Sequence, residues 1–216
     1  MKWPKEVFHY GLHYVKVMEE TPDKRKHLGY QCVNFPQLGT TRHLVSTWMP
    51  SKQYCQEVMG TIHYFMSQFV ADYIRAYETL RIVGQSGQAE DFQVQPAAVD
   101  PYDPEAREWP SVLDHHGILY WKKTKDLGGG KITVAYECEE FPVLGTLKFQ
   151  ADTPNPSPKY KNAALVNVMQ SINQYLTDYF IHIMNKRAEL GKSDPLFDHS
   201  DVGITNQYEM AEAGER

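Results

Sequence analysis

Eleven residues of this chain occur twice, as YQCVNFPQLGT at positions 30–40 and as YECEEFPVLGT at positions 136–146. The offset of 106 residues holds without a gap over positions 3–80, where 20 positions are identical in the two copies. Similarity at one fixed spacing is the signature of a repeat architecture. The chain is therefore a tandem duplication, and each structural expectation can be checked in both copies.

Three strands are predicted before the long apolar stretch of each copy, because aromatic and β-branched residues alternate with polar ones there. In the first copy they cover 7–19, 26–34 and 40–49, and in the second copy the last two cover 131–140 and 146–152. Turn residues at 21–24 and the glycines at 128–130 separate the first two strands.

The shared motif FPxLGT ends the second predicted strand. Its proline cannot donate to a β-ladder, and its glycine permits a positive φ, so we expect a tight connection into the third strand. A phosphate-binding loop, the functional alternative, would need more glycines ahead of a helix.

A long helix closes each copy. Ser51 and Ser157 follow a proline and can cap the helix that comes next. Apolar residues recur every three or four positions over about 52–83 and 160–188, which predicts helices of about 45 Å. Since three strands cannot cover that length, part of each apolar face should meet the other repeat or another subunit.

The predicted fold class is α+β, a tandem duplication of a β-β-β-(β)-α unit. We expect two antiparallel sheets, each packed on one long helix and related by a pseudo-twofold axis. The chain divides into repeat 1 at 1–83, an acidic linker rich in Pro, Gln and Gly at 84–108, repeat 2 at 109–189, and an acidic flexible tail at 190–216.

Charge is distributed unevenly over these segments. The linker carries a net −5 and the tail a net −4, although the whole chain carries only −5, so the two repeats together are mildly basic at +4. A basic body with acidic flanking segments is compatible with a nucleic-acid partner.

Localisation is predicted to be cytoplasmic, in an infected host cell if a phage encodes the chain. The three cysteines do not make a disulfide framework, and Cys32 and Cys138 alternate with polar residues as buried strand residues do. Neither an apolar signal segment nor a run of about 18 apolar residues is present, so no membrane contact is expected.

No catalytic, metal-binding or cofactor-binding motif occurs, so a non-enzyme without metal or cofactor is expected. Among nine histidines only His9 and His115 are shared by the copies, and both structural and functional roles are open for them. His115 and His116 would point to opposite faces of a strand and could not chelate one ion. An enzyme with a pocket between the repeats, lined by His9, His115 and tyrosines, remains an alternative.

The strands interleave aromatic and cationic residues, which suits single-stranded nucleic acid because cations follow phosphates while bases stack on rings. The candidate binding residues are Tyr14, Lys16, Lys24, Arg25, Lys26, Arg42, Trp48, Tyr120, Trp121, Lys122, Lys123, Lys131, Lys148 and Phe149.

Two β-rich units, each closed by one long helix and fused in tandem over roughly 160 residues, resemble PUR repeats and the related Whirly proteins. That resemblance implies four strands before each helix and binding of single-stranded DNA or RNA on a sheet. An acidic tail after a basic body is also similar to many single-stranded DNA-binding proteins, in which the tail recruits partners. A phage-encoded single-stranded DNA-binding protein is therefore one expected identity for a chain of this size.

The expected function is thus non-catalytic binding of single-stranded DNA or RNA, with the tail free for a protein partner and the long helices joining copies into a homo-oligomer. The alternative is a phage-type structural, assembly or adaptor protein that oligomerises through its helices.

Overall fold

Each repeat folds as four antiparallel strands followed by one long helix in the computed structural model, which describes residues 1–86 and 103–191. The first repeat contains β1 (Glu6–His9), β2 (Leu12–Glu20), β3 (Lys26–Cys32), β4 (Thr40–Val45) and α1 (Lys52–Ser86). The second contains β5 (Val112–His115), β6 (Ile118–Gly128), β7 (Lys131–Glu137), β8 (Thr146–Ala151) and α2 (Pro158–Glu189). The strands of each sheet are in chain order, which confirms the α+β class and the duplicated unit.

The single long strand predicted over 7–19 is wrong, because a two-residue turn divides it. Tyr10 and Gly11 have φ values of 47° and 87°, and His116 and Gly117 have 53° and 79°. Positive φ at both central residues is typical of the tight turns that match the twist of a hairpin. The turn produces the fourth strand of each sheet.

The FPxLGT motif forms the connection that the sequence predicted. A short 3₁₀ helix, Pro36–Leu38 in one repeat and Pro142–Leu144 in the other, is followed by a glycine with positive φ, 78° at Gly39 and 72° at Gly145. Leu38 and Leu144 are buried. The motif therefore ends one strand, fixes the corner in the core and starts the next strand.

Hydrogen bonds recur at the repeat offset. The indole of Trp3 donates to the carbonyl of Thr47 at 3.1 Å, and that of Trp109 donates to the carbonyl of Thr153 at 3.4 Å. The phenols of Tyr30 and Tyr136 donate to the carbonyls of Pro4 and Pro110. These bonds fasten the start of each repeat to its own sheet.

The two helices begin as predicted and then pack on each other. The hydroxyls of Ser51 and Ser157 accept hydrogen bonds from the backbone three residues on. Phe180 of α2 lies edge-on to Tyr73 of α1 and to Phe35, with ring centroids 4.9 and 5.2 Å apart. The apolar faces of the helices thus meet the other repeat, which is one of the two possibilities that their length left open.

The end of the predicted linker is held against α2. Lys161 is completely buried, and its ammonium group donates to the carbonyls of Asp103 and Ala106. The equivalent position in repeat 1 is Cys55, so this attachment belongs to repeat 2 alone. The rest of the predicted linker, residues 87–102, and tail residues 192–216 lie outside the described residues.

The cysteines Cys32, Cys55 and Cys138 are buried free thiols, as the strand pattern predicted for two of them. Within 1–86 and 103–191, neither helix combines the length and the apolarity needed to cross a bilayer.

Candidate nucleic-acid interface

Register decides which predicted binding residues share a face. Residues directly opposite each other on neighbouring strands point to the same side of a sheet. Lys123 is opposite Ala135, which is opposite Lys148, while Trp121 is opposite Glu137 and Lys125 is opposite Thr133. We call this side of the second sheet, which faces away from the core, its outer face.

The outer face of the second sheet is uncovered within the described part of the chain. Lys123, Lys125 and Lys148 are exposed and Trp121 is partly exposed. Lys123 and Lys148 flank Ala135 at two strand spacings, about 10 Å. A tryptophan and three lysines therefore lie on one open surface.

The lysines of this face differ in their partners. Lys123 donates to Glu139 at 2.5 Å, and that hydrogen bond, followed by the attraction of the carboxylate, raises the pKa of the lysine. In the part of the chain that the structure describes, Lys125, Lys148 and the adjacent Lys131 form no ion pair. These three are the cations best placed to meet phosphates.

The first sheet carries different residues at the same positions. Val15, Val17, Glu19 and Arg42 replace Trp121, Lys123, Lys125 and Lys148 in the equivalent register. Arg42 forms an ion pair with Glu19 at 3.3 Å. The charge of Arg42, which was predicted to contact phosphate, is therefore balanced by a carboxylate.

Other predicted contacts of repeat 1 also have acidic neighbours. Arg25 pairs with Asp23 at 2.9 Å, and the indole of Trp48 donates to Glu20 at 3.4 Å. Lys24 is exposed in the turn with a φ of 66°, and Lys26 is partly exposed at the start of β3. The tip of the β2–β3 hairpin therefore has three acidic residues, Glu19, Glu20 and Asp23, beside three basic ones, Lys24, Arg25 and Lys26.

Two predicted stacking residues belong to the core. Tyr14 and Tyr120 are each only 1% exposed, so their rings cannot stack on a base, and that prediction is wrong for both. Burial raises the pKa of both phenols well above the ordinary value. The error has a geometric reason, since each tyrosine lies on the inner side of its strand.

Three more predicted contacts lie on the inner side. Lys16 and Lys122 are opposite Tyr30 and Tyr136, both fully buried. The ammonium group of Lys122 donates to the carbonyl of Trp109 at 2.7 Å, so it helps to hold the start of repeat 2. Phe149 packs edge-on against Trp109 with centroids 5.1 Å apart. These residues support the sheet and are not on its outer face.

A second feature is a cleft of about 720 Å³ between the repeats, where one alternative had placed a pocket lined by His9, His115 and tyrosines. Repeat 1 contributes Tyr10 and one side of α1, and repeat 2 contributes the β5–β6 turn and Asn173 of α2. We call it the junction cleft. The turns that divide the predicted long strands thus form part of its wall.

Four imidazoles line the junction cleft. His9 shares a hydrogen bond of 2.8 Å with Ser67, and His115 donates through Nε2 to Asn173 at 2.8 Å. His116 donates through Nδ1 to Gln68 of the other repeat at 2.9 Å. The ring of His63 lies 5.0 Å from that of His9, and its Nε2 is buried without a hydrogen-bond partner in the described part of the chain.

These histidines are held neutral. Burial, with repulsion from His63 and His116, lowers the pKa of His9 to about 4. Burial lowers the pKa of His115 to about 4 although the bond to Asn173 opposes the shift, and it also lowers the pKa values of His63 and His116. Neutral imidazoles offer one donor and one acceptor nitrogen each.

Metal binding finds no support in this geometry. Across residues 1–86 and 103–191, no three His, Cys, Asp or Glu side chains are arranged to hold an ion.

Comparison of the chain with family models, curated proteins and solved structures finds no match.

Proposed function

We propose that the protein binds single-stranded DNA or RNA on the outer face of its second sheet. The observation that carries the proposal is the grouping of Trp121 with Lys125 and Lys148 on one uncovered face, where the first sheet has Val15, Glu19 and Arg42. Repeat 1 supplies the scaffold that completes the fold.

The chemistry of the face suits a flexible strand more than a duplex. Lysines without acidic partners attract phosphates, and a partly exposed indole offers a ring on which a base stacks, at about 1–3 kcal/mol per base. Any base can stack, so this contact is tolerant of sequence. We therefore expect broad binding of single strands, with non-catalytic function.

Element order adds support. Each repeat has four strands before its helix, which is the order that the resemblance to PUR repeats and Whirly proteins implies. The fourth strand comes from the turn at Tyr10–Gly11 and its counterpart at His116–Gly117. With it, the sheet has the number of strands that a sheet-based binding surface of that kind would have.

We further propose that the repeats are related by a pseudo-twofold axis that passes near the junction cleft. His9 and His115, which are equivalent residues, both line this cleft, as do Ser67 and Asn173. Homo-oligomerisation through the helices, a protein partner for the acidic tail and a cytoplasmic location stay predictions, as does the alternative of a structural or adaptor protein.

The test is binding of a fluorescein-labelled dT oligonucleotide, measured by fluorescence anisotropy at 50 and 200 mM salt. Contacts from three lysines give a slope of log K against log salt of about −2 for a single strand, so affinity should fall about 20-fold over this range. Absent binding, or binding insensitive to salt, would contradict the proposal. A stable oligomer in light scattering without oligonucleotide binding would favour the structural alternative.

A further inference from the structure

The junction cleft adjoins the outer face of the second sheet. Asp114 lines the cleft and lies opposite Leu119 on that same face. Leu119 is two residues from Trp121 along β6, which is about 7 Å. A strand whose base stacks on Trp121 could therefore place a neighbouring base at the cleft.

Rings line the cleft on more than one side. Tyr64 lies 4.7 Å from His116, and Tyr10 lies 4.6 Å from His9, measured between ring centroids. Unstacked bases are commonly held between such side chains and read along their hydrogen-bonding edges. A cleft of about 720 Å³ is within the range of small-ligand sites and has room for a base with its sugar.

Acceptors lie among the polar atoms of the cleft, beside the hydroxyls of Tyr10 and Tyr64 and the amide of Asn173. His115 and His116 donate through one ring nitrogen, so in the neutral ring the other nitrogen is an acceptor. One oxygen of Asp114 accepts from the backbone of Gly117 at 2.8 Å, and the carboxylate has further acceptor capacity. A ligand with adjacent donors can therefore pair with these acceptors.

Charge also favours a neutral ligand. Arg75 is the cation of the cleft, and it is paired with Asp72 at 3.1 Å while its guanidinium lies over Gly117. Asp114 supplies a negative charge, and the four imidazoles are neutral near pH 7 because burial lowers their pKa values. A second phosphate group would meet no unbalanced positive charge here.

We propose that the junction cleft binds a nucleobase with adjacent N–H donors, guanine being the best match, and that Asp114 accepts those donors. Guanine alone among the common bases has an imino N–H beside an amino group on its pairing edge, whereas thymine and uracil present a single donor. Placement of this base within a bound strand rests on the function proposed above, but recognition of the free base does not.

The experiment is a titration with guanosine, adenosine and uridine, followed by NMR through the histidine ring protons and assigned with His63→Gln. Guanosine should shift the signals of the cleft histidines in a saturable way and bind at least about 5-fold more tightly than the other two, because neither of them can offer Asp114 two adjacent N–H donors. Inosine, which lacks the amino group, should be weaker than guanosine.

The decisive variant is Asp114→Asn, which retains an oxygen for the Gly117 N–H but replaces the charged acceptor with an amide. Guanosine affinity should fall at least about 5-fold. Asp126→Asn is the matched control, since Asp126 accepts from Gly128 in another hairpin at the same distance of 2.8 Å. It should leave guanosine binding unchanged.

Failure of the two proposals can be distinguished. If a dT oligonucleotide binds but guanosine causes no shift, or if all three nucleosides bind equally, the cleft assignment is wrong while the proposed function stands. Equal guanosine affinity of Asp114→Asn and wild type would also overturn the assignment. If guanosine binds selectively and no oligonucleotide does, the cleft assignment stands and the proposed function fails.

Discussion

The outer faces of the two sheets are the same surface of the same fold with different chemistry. Where the second sheet has Trp121 and Lys125, the first has Val15 and Glu19. The corners and helix caps are the same in the two repeats, so the requirements of folding explain what they share. Under the proposed function, the differences on the outer faces separate a binding repeat from a scaffold repeat.

The largest expected effect is on the pH dependence of folding stability, and it comes from two histidines that the repeats share. His9 and His115 have pKa values of about 4 in the folded protein and 6.5 as the ordinary value. Between these values the unfolded chain binds protons that the folded chain does not. Stability should therefore fall as pH falls from about 6.5 to 4, by at most about 3 kcal/mol for each histidine, and then level off.

Urea unfolding of wild type and of the double variant His9→Gln/His115→Gln at pH 7.5 and 5 would check this. Carboxylates also lose favourable contacts in acid, so the informative quantity is the difference between the two proteins. A wild type that loses no more stability than the variant would contradict the assignment of neutral buried histidines in both repeats.

Trp121 gives the next effect, on binding. Trp121→Ala should weaken oligonucleotide binding about 5- to 150-fold, because one stacked base is lost, and Trp121→Phe should retain much of the affinity. The opposite change in the first sheet, Val15→Trp, should leave affinity within about twofold of wild type. The positions equivalent to Lys123, Lys125 and Lys148 are Val17, Glu19 and Arg42, so no lysine lies beside the new ring on that face. A gain at Val15→Trp equal to the loss at Trp121→Ala would show that the two faces are interchangeable.

The smallest expected effect is a difference in stability between alanine variants at two equivalent glycines. Gly11 and Gly117 both have positive φ, and alanine there costs about 1–2 kcal/mol. A methyl group on Gly117 would lie 2.4 Å from the guanidinium of Arg75, whereas one on Gly11 meets no described atom within 4 Å. Gly117→Ala should thus cost more, and the excess should vanish when Arg75→Ala is added, as a double-mutant cycle of thermal unfolding can measure.

Much of the fold could be predicted from the sequence because the copies supported each other. The second and third strands, the corner after Phe35 and Phe141, and the serine caps were correct apart from the exact strand ends. The turn at Tyr10–Gly11 was missed because aromatic residues continue on both sides of it, and tyrosine is uncommon at positive φ. A glycine shared by both copies was the available signal.

The candidate site was harder to predict because it depends on pairing. Tyr14 and Lys16 alternate with Val15 in a way that defines two faces, but only the register with β3 shows which face is buried. The same register places Lys125 on the outer face of the second sheet. The junction cleft joins residues of both repeats, such as His116 and Gln68, and no local pattern records that contact.

Two charge reversals of equal size would show whether binding belongs to the second sheet. Lys125→Glu/Lys148→Glu changes the charge of the outer face of the second sheet by four units. Lys24→Glu/Arg25→Glu changes the charge of the β2–β3 hairpin of the first sheet by the same amount. Both sites are exposed, so folding should be preserved in each, as circular dichroism can verify.

Anisotropy with a dT oligonucleotide at 50 mM salt is the measurement. Lys125→Glu/Lys148→Glu should bind at least about 20-fold more weakly than wild type, with a salt slope smaller by about 1.4. The affinity of Lys24→Glu/Arg25→Glu should stay within a few-fold of wild type. Equal losses of affinity in the two variants, or a greater loss in Lys24→Glu/Arg25→Glu, would contradict binding on the second sheet.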